Sequence, residues 1–328
     1  MRRREFISLL GGAMLAGPQT SRAQKAENLP RIGVLWHAGS AEEEGSNFKA
    51  LVKGFADLGY VEGRSIILEH RFPNERPDQF RSMAAELAAS RVDVLVSIGA
   101  NAAPYAKDAT STIPVVFALV PDPLGSRLVK SLARPDANVT GLSNSASDLI
   151  GKRLELFKEM IPRISNTALL VNAGSQLVSA YETTTRNAAG ALGLVAQMFK
   201  WSAPDELETA FASMKSAGIQ AVMINPDGWA FTYRATISKL AIENRLPLSV
   251  WSRQTLDAGA LMSYGSDSDA ICRRVAVYVS KLLKGAKVGE LPVEQPTKFE
   301  FLINLRTAKA IGLAIPETLL LRADEVIE

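Results

Sequence analysis

From residue 31 onward, short apolar runs alternate with amphipathic stretches, the pattern of βαβ units around a parallel sheet. Arg31–His37 reads as a strand of β-branched and aromatic residues, closed by Ala38-Gly39-Ser40. Phe48, Leu51, Val52, Phe55 and Leu58 then recur at spacings of three and four, predicting a helix that Gly59 ends. Further strands are expected at Ser65–His70, Val92–Ile98 and Pro114–Val120, with helices at Pro77–Ala89 and from about Asn101. A similar order then returns. Strands are expected at Thr167–Asn172, Leu194–Trp201, Gln220–Asn225 and Leu246–Trp251, with helices running to Gly193, at Pro204–Ala217 and near Trp229–Asn244.

The return is visible in the letters: Leu35-Trp36-His37-Ala38-Gly39-Ser40 parallels Leu170-Val171-Asn172-Ala173-Gly174-Ser175. The expected fold class is therefore α/β, with two doubly wound, Rossmann-like lobes joined by a multi-strand hinge. Three passages between lobes are expected, at Asn138–Ser143, Leu261–Gly265 and Leu291–Asn304. Lobe 1 then comprises residues 31–140 plus about 265–290, and lobe 2 residues 141–262 plus about 291–328. The helix Asp267–Leu283 returns to the first lobe in this scheme. A cleft closed by several passages suits capture and release of a ligand.

The chain of 328 residues is 47% hydrophobic and 22% charged, which excludes a disordered or fibrous protein. Its net charge of +3 belongs to one end. Residues 1–23 hold Arg2, Arg3, Arg4 and Arg22 against Glu5, and so account for the whole excess. An apolar stretch of about ten residues follows Arg3-Arg4-Glu5-Phe6-Ile7, too short for the roughly twenty needed to span a bilayer. With Ser21-Arg22-Ala23 as a small-x-Ala cleavage pattern, the segment resembles a twin-arginine export signal. The expectation is a soluble, neutral protein exported to the periplasm.

Catalytic motifs are missing from the sequence: it has no dinucleotide fingerprint, Walker loop, nucleophile elbow or His-Glu-x-x-His. Two histidines, His37 and His70, and one cysteine, Cys272, leave no material for a metal centre, and Cys272 falls on an apolar helical face as a structural thiol. No basic, aromatic-interleaved stripe suggests nucleic acid. The expectation is a binder without cofactor, not an enzyme.

Candidate ligand contacts lie in the loops where strands end. His37 and Ser40 close the first strand, and Gly99, Ala100 and Asn101 open a helix whose free N–H groups favour a carboxylate, unless Asn101 simply caps it. Asp122, between two prolines, and Asp227, after Asn225-Pro226, offer carboxylates to an ammonium or cap the following helices. Asn172 ends a strand of the second lobe. Trp229 and, more remotely, Trp36 offer stacking surface, and Tyr264 sits at the second passage.

Six stretches resemble the ABC-transporter substrate-binding family that includes tryptophan- and tyrosine-type binding proteins. They are Leu58-Gly59-Tyr60-Val61-Glu62-Gly63-Arg64, residues 109–117 (ATSTIPVVF), and Ser131-Leu132-Ala133-Arg134-Pro135 with Asn138-Val139-Thr140-Gly141-Leu142-Ser143. The others are Gly151-Lys152-Arg153-Leu154-Glu155-Leu156, Met262-Ser263-Tyr264-Gly265 and residues 291–300 (LPVEQPTKFE). The resemblance spans nearly the whole mature length. It implies a type I periplasmic-binding architecture and delivery of a small solute to an ABC permease and its ATPase; the receptor itself is expected to be a monomer.

The same resemblance places Asp122-Pro123, Asn172, Pro226-Asp227 and Tyr264 at cleft positions. The chain departs from it at Gly99-Ala100-Asn101, Asn172-Ala173 and Asp227-Gly228, where the family commonly has Gly-Thr-Pro, Asn-Pro and Asp-Pro. The expected ligand is an amino acid, aromatic or otherwise, or a related small carboxylate. A sensory binding protein on the same fold is the alternative expectation, and an exported enzyme the third.

Overall fold

The computed structural model describes residues 29–135 and 137–328; the expected export signal at residues 1–23 lies outside them. Strands β1 (Arg31–Leu35), β2 (Ile67–Arg71), β3 (Val94–Ile98), β4 (Val115–Val120) and β5 (Val139–Ser143) make a parallel sheet in the order β2-β1-β3-β4-β5. Its middle strands are buried almost along their whole length because helices cover both faces. Around it lie α1 (Ala41–Glu44), α2 (Ser46–Asp57), α3 (Pro77–Ala89) and α4 (Ala102–Asp108).

The second sheet holds β6 (Asn166–Asn172), β7 (Val195–Trp201), β8 (Ala221–Ile224), β9 (Leu248–Val250), β10 (Met262–Gly265), β11 (Glu300–Asn304) and β12 (Glu325–Ile327). Their order is β12-β11-β10-β9-β8-β6-β7, parallel except that β11 pairs antiparallel with β10. With it go α5 (Ile150–Met160), α6 (Val178–Ala191), α7 (Glu206–Ser216), α8 (Gly228–Thr232), α9 (Arg234–Glu243), α10 (Arg253–Asp257), α12 (Leu305–Ile311) and α13 (Glu317–Leu320). The helix expected near Trp229–Asn244 is thus two, parted at Tyr233.

Helix α11 (Ser268–Leu283) follows the second-sheet strand β10 but packs on the first sheet. Cys272, Val275, Ala276 and Val279 are fully buried there, against Ile32, Val34 and Leu51. Cys272 is thus a core thiol, which burial pushes well above its ordinary pKa. Helices α2 and α11 touch backbone to backbone at Gly54, where a Cβ would overlap the Arg273 carbonyl. Gly54→Ala is expected to lower stability by about 1–3 kcal/mol through overpacking, read as a lower midpoint in chemical denaturation.

Two of the expected passages prove to be strands. Asn138–Ser143 holds β5, wholly buried against β4, and Leu261–Gly265 holds β10, buried between β9 and β11. Both runs alternate too little to mark their faces, because each is covered on both sides. The chain crosses just beyond them, at 144–148 and 266–267. The third crossing begins later than expected, since Leu291 and Val293 are buried in the first lobe and Glu294 bridges to Leu142. The crossings hold one another: Ser266 Oγ donates to Asn144 O at 3.3 Å, and Gln295 Nε2 to Ser145 Oγ at 3.2 Å.

Candidate functional site

The carboxyl ends of β1, β3 and β4 face those of β8 and β9 across the cleft, the place where open α/β sheets bind ligands. From the first lobe the inner space takes His37, Asn47, Gly99, Ala100, Asn101, Leu119 and Asn144. The second lobe supplies Pro226, Asp227, Gly228, Phe231, Trp251 and Ser252. Its volume is about 50 Å³. A wider outer chamber of about 420 Å³ adjoins it, with Glu75, Phe80, Asn101 and Tyr105 on one side and Asn172, Ala173, Gln176 and Trp229 on the other.

Three carboxyl groups and one imidazole dominate the electrostatics. His37 Nδ1 donates to Glu75 Oε1 at 2.9 Å, and its Nε2 lies 3.6 Å from Glu44 Oε2. Burial alone lowers the imidazole pKa, but Glu44 and the Glu75 hydrogen bond outweigh it and push it up to about 9. His37 is therefore an imidazolium at neutral pH. Glu44 is fully buried and accepts from the backbone N–H groups of His37 and Ala38, at 3.3 and 3.0 Å; burial raises its pKa. Glu75 Oε2 accepts from Asn101 Nδ2 at 2.7 Å.

Asp227 faces this group from the other lobe. It lies just beyond β8 in extended backbone and caps α8, its Oδ1 accepting from Ala230 N at 3.2 Å and Asn172 Nδ2 at 3.3 Å. Its Oδ2 has no partner, and neither has Asn47 Oδ1, although Asp227 is 8% and Asn47 2% exposed. Burial, then the Glu75 charge, push the Asp227 carboxyl up to about 6. The loop that aims it is pinned from beneath. Fully buried Arg153 donates to Ile224 O at 2.7 Å and to the Asn225 amide oxygen, and Tyr181 O–H donates to Pro226 O at 3.0 Å. Burial holds the Arg153 guanidinium down at about 10.

The lobes touch directly around the inner space. The His37 and Phe231 rings meet edge to face at 5.2 Å, and Gln254 Nε2 donates to Ser46 Oγ at 2.6 Å. Arg234 stacks over Phe231, with 4.2 Å from Cζ to the ring centroid, and donates across the cleft to Glu43 O at 3.3 Å. Two non-glycine residues of the walls, Glu75 (φ 55°) and Leu119 (φ 58°), hold left-handed backbone, and Leu119 sits at a β-bulge. Such strain collects at ligand sites.

Of the positions expected to bind, His37, Gly99, Ala100, Asn101 and Asp227 line the inner space, and Asn172 and Trp229 the outer chamber. Asn101 does not cap α4 with its side chain, which reaches Glu75 instead. Ser40 caps α1 by accepting from Glu43 N, and Asp122 closes a turn by accepting from Gly125 N at 2.7 Å; neither lines either chamber. Tyr264 lies against Phe299 and Phe301, away from both chambers. Trp36 is fully buried in the first lobe, stacked on Phe72 and donating to His70 Nδ1 at 3.0 Å, so it offers the cleft nothing. Burial holds that His70 down at about 4, a neutral acceptor.

The most acidic part of the site lay outside those expectations. Glu44 stands in Ala-Glu-Glu-Glu, which reads as a solvated helix start, and Glu75 in Pro73-Asn74-Glu75-Arg76-Pro77. A proline-bracketed loop at the carboxyl end of β2 was the available signal for Glu75. For Glu44 there was none. Among the described residues no group of three or more metal-ligating side chains is placed to hold an ion.

Two parallel-sheet lobes facing each other across an acidic, partly enclosed cleft define a hinged solute-binding protein of the type I periplasmic-binding architecture. The chain belongs to the ABC transporter substrate binding protein family, whose model matches residues 42–327. The family is one of substrate-binding proteins. A tyrosine-binding protein of Clostridioides difficile (strain R20291) is 27% identical over 272 residues, 81% of this chain and 76% of that protein. A conserved domain protein from Vibrio cholerae superposes with a TM-score of 0.85 at 25% identity, covering 91% of this chain and 100% of that one. An ABC domain from Streptococcus pneumonia, solved in complex with L-Trp, superposes with a TM-score of 0.84 at 25% identity over 92% of this chain and 100% of that one.

Proposed function

We propose that the protein is the extracytoplasmic receptor of an ABC importer, closing its two lobes on a small solute that bears a protonated amine and presenting the closed form to a membrane permease and its ATPase. One observation carries this reading: each lobe contributes an acidic group, Glu75 and Asp227, to the same inter-lobe cleft. Tyrosine and L-Trp, named for the relatives, both bear such an amine. Among the described residues no helix is long and apolar enough to cross a membrane.

Binding in this scheme shifts an open–closed population, and affinity reflects the preference for the closed form. The test is a thermal-shift screen of the full chain against amino acids and amines, followed by small-angle scattering with each hit. A ligand of the native state is expected to raise the melting temperature by mass action and to reduce the radius of gyration. A hit that stabilises without compaction would remove the closure step.

A further inference from the structure

Resting on that receptor reading, we propose that Ser145 is the strained pivot of the hinge, left-handed while the lobes touch and relaxed when they part, with Gln295 as the residue that holds it. Ser145 lies in the first crossing, is 4% exposed and has φ 49°. That backbone conformation is costly for any residue with a Cβ. Among the described residues of the three crossings, only Ser145 adopts it.

The restraints on Ser145 come from every crossing. Its Oγ accepts from Gln295 Nε2 of the third crossing at 3.2 Å, while the neighbouring Glu294 O accepts from Ser143 N at 2.9 Å. Ser266 of the second crossing donates to Asn144 O. Two stretches that carry the family resemblance, Asn138–Ser143 and residues 291–300, meet at this point, and neither lines a chamber. Strain persists only where the surroundings over-determine it. Here the surroundings are contacts between crossings, which turn against one another when a hinge opens.

The pivot also reaches the inner space. The buried Ser143 hydroxyl accepts from Ser145 N at 3.0 Å and donates to Val120 O at 2.8 Å. Val120 O accepts from Asn144 N as well, at 3.2 Å, and it adjoins the left-handed bulge at Leu119. Leu119 and Asn144 both line the inner space, so the ligand side and the hinge side share one hydrogen-bonded chain.

Single-molecule energy transfer between one dye on each lobe of the full chain tests this by counting touching and parted molecules. Cys272 is buried, so introduced surface cysteines take the dyes. Glycine adopts φ 49° without penalty, and Ser145→Gly is compared with Ser145 in a Gln295→Ala background, where the Gln295 hydrogen bond is already gone. The glycine is expected to raise the touching-to-parted ratio about fivefold, and affinity for L-tryptophan or L-tyrosine by up to about the same factor. Gln295→Ala alone, a change at an exposed side chain, is expected to lower that ratio about threefold. A Ser145 with the same backbone in both states would leave the ratio unchanged on glycine substitution, and that result overturns the proposal. The dye measurement needs no solute. It therefore judges the hinge even where neither amino acid binds, an outcome that counts against the receptor reading alone.

Discussion

The Asp227→Asn variant is expected to melt higher than the native chain at neutral pH while binding amines about 100-fold more weakly. The two effects share one cause. Burial raises the Asp227 carboxyl from 3.8 to about 6, so at neutral pH the folded protein holds an ionised group that its surroundings disfavour. A shift of about two units corresponds to roughly 3 kcal/mol at 1.36 kcal/mol per unit. Between pH 3.8 and about 6 the native state binds more protons than the unfolded chain, so this group's contribution to stability falls as pH rises through that window. Asparagine removes the charge and keeps the capping oxygen for Ala230 N.

The gain in melting temperature should therefore be full above about pH 6 and vanish below about pH 4, a profile that differential scanning calorimetry reads. Loss of a buried charge pair with the ligand accounts for the affinity, at about 2–5 kcal/mol. In the native chain the same titration makes amine affinity fall as pH drops through about 6. Glu75 and His37 from the first lobe, and Tyr181 from α6, are the titratable groups that sense this carboxyl. His37, at about 9, keeps its charge throughout that range. An Asp227→Asn protein with unchanged melting temperature and affinity would remove the residue from the site.

Gly228→Ala is expected to hold the lobes apart. A methyl group at Gly228 would overlap the Glu75 carboxylate of the opposite lobe, and that carboxylate cannot simply swing aside. It is clamped by His37 at 2.9 Å and Asn101 at 2.7 Å, hydrogen bonds to a charged group that are worth about 1.5–3 kcal/mol each. Losing one or both, or leaving the lobes ajar, should lower ligand affinity roughly 30- to 100-fold. Each lobe's own core is untouched, so the ligand-free melting temperature should stay near that of the native chain. Small-angle scattering with saturating ligand should give a larger radius of gyration than the native complex. Equal affinity and equal compaction would show that Glu75 and Gly228 do not meet in the bound form.

Particular residues explain how far the sequence could be read. Strand-end loops identify themselves by apolar runs that stop at glycine or proline, and so His37, Gly99–Asn101, Asn172 and Asp227 were legible, as was the return of α11 to the first lobe. Glu44 and Glu75 were not, because a carboxylate in a polar stretch looks solvated until a second lobe covers it. Asp122 and Tyr264 sit at strand ends as well, but one closes its own turn and the other packs among phenylalanines. Hydrogen bonding within a loop is invisible to periodicity. The departure at Asp227-Gly228 acquires a physical reason in Glu75, whose approach requires a residue without a Cβ.

Helix α11 sets the order in which the molecule can be finished. The sheet built from residues 31–143 presents Ile32, Val34, Val94 and Val96 to a helix that begins only at Ser268. On a growing polypeptide that face stays uncovered until some 120 residues more have been made, a count that follows from the bounds of β5 and α11. The second sheet is completed later still, by β12 at Glu325–Ile327. The first sheet therefore cannot mature alone: residues 31–143 are obliged to wait for a helix made well over a hundred residues later.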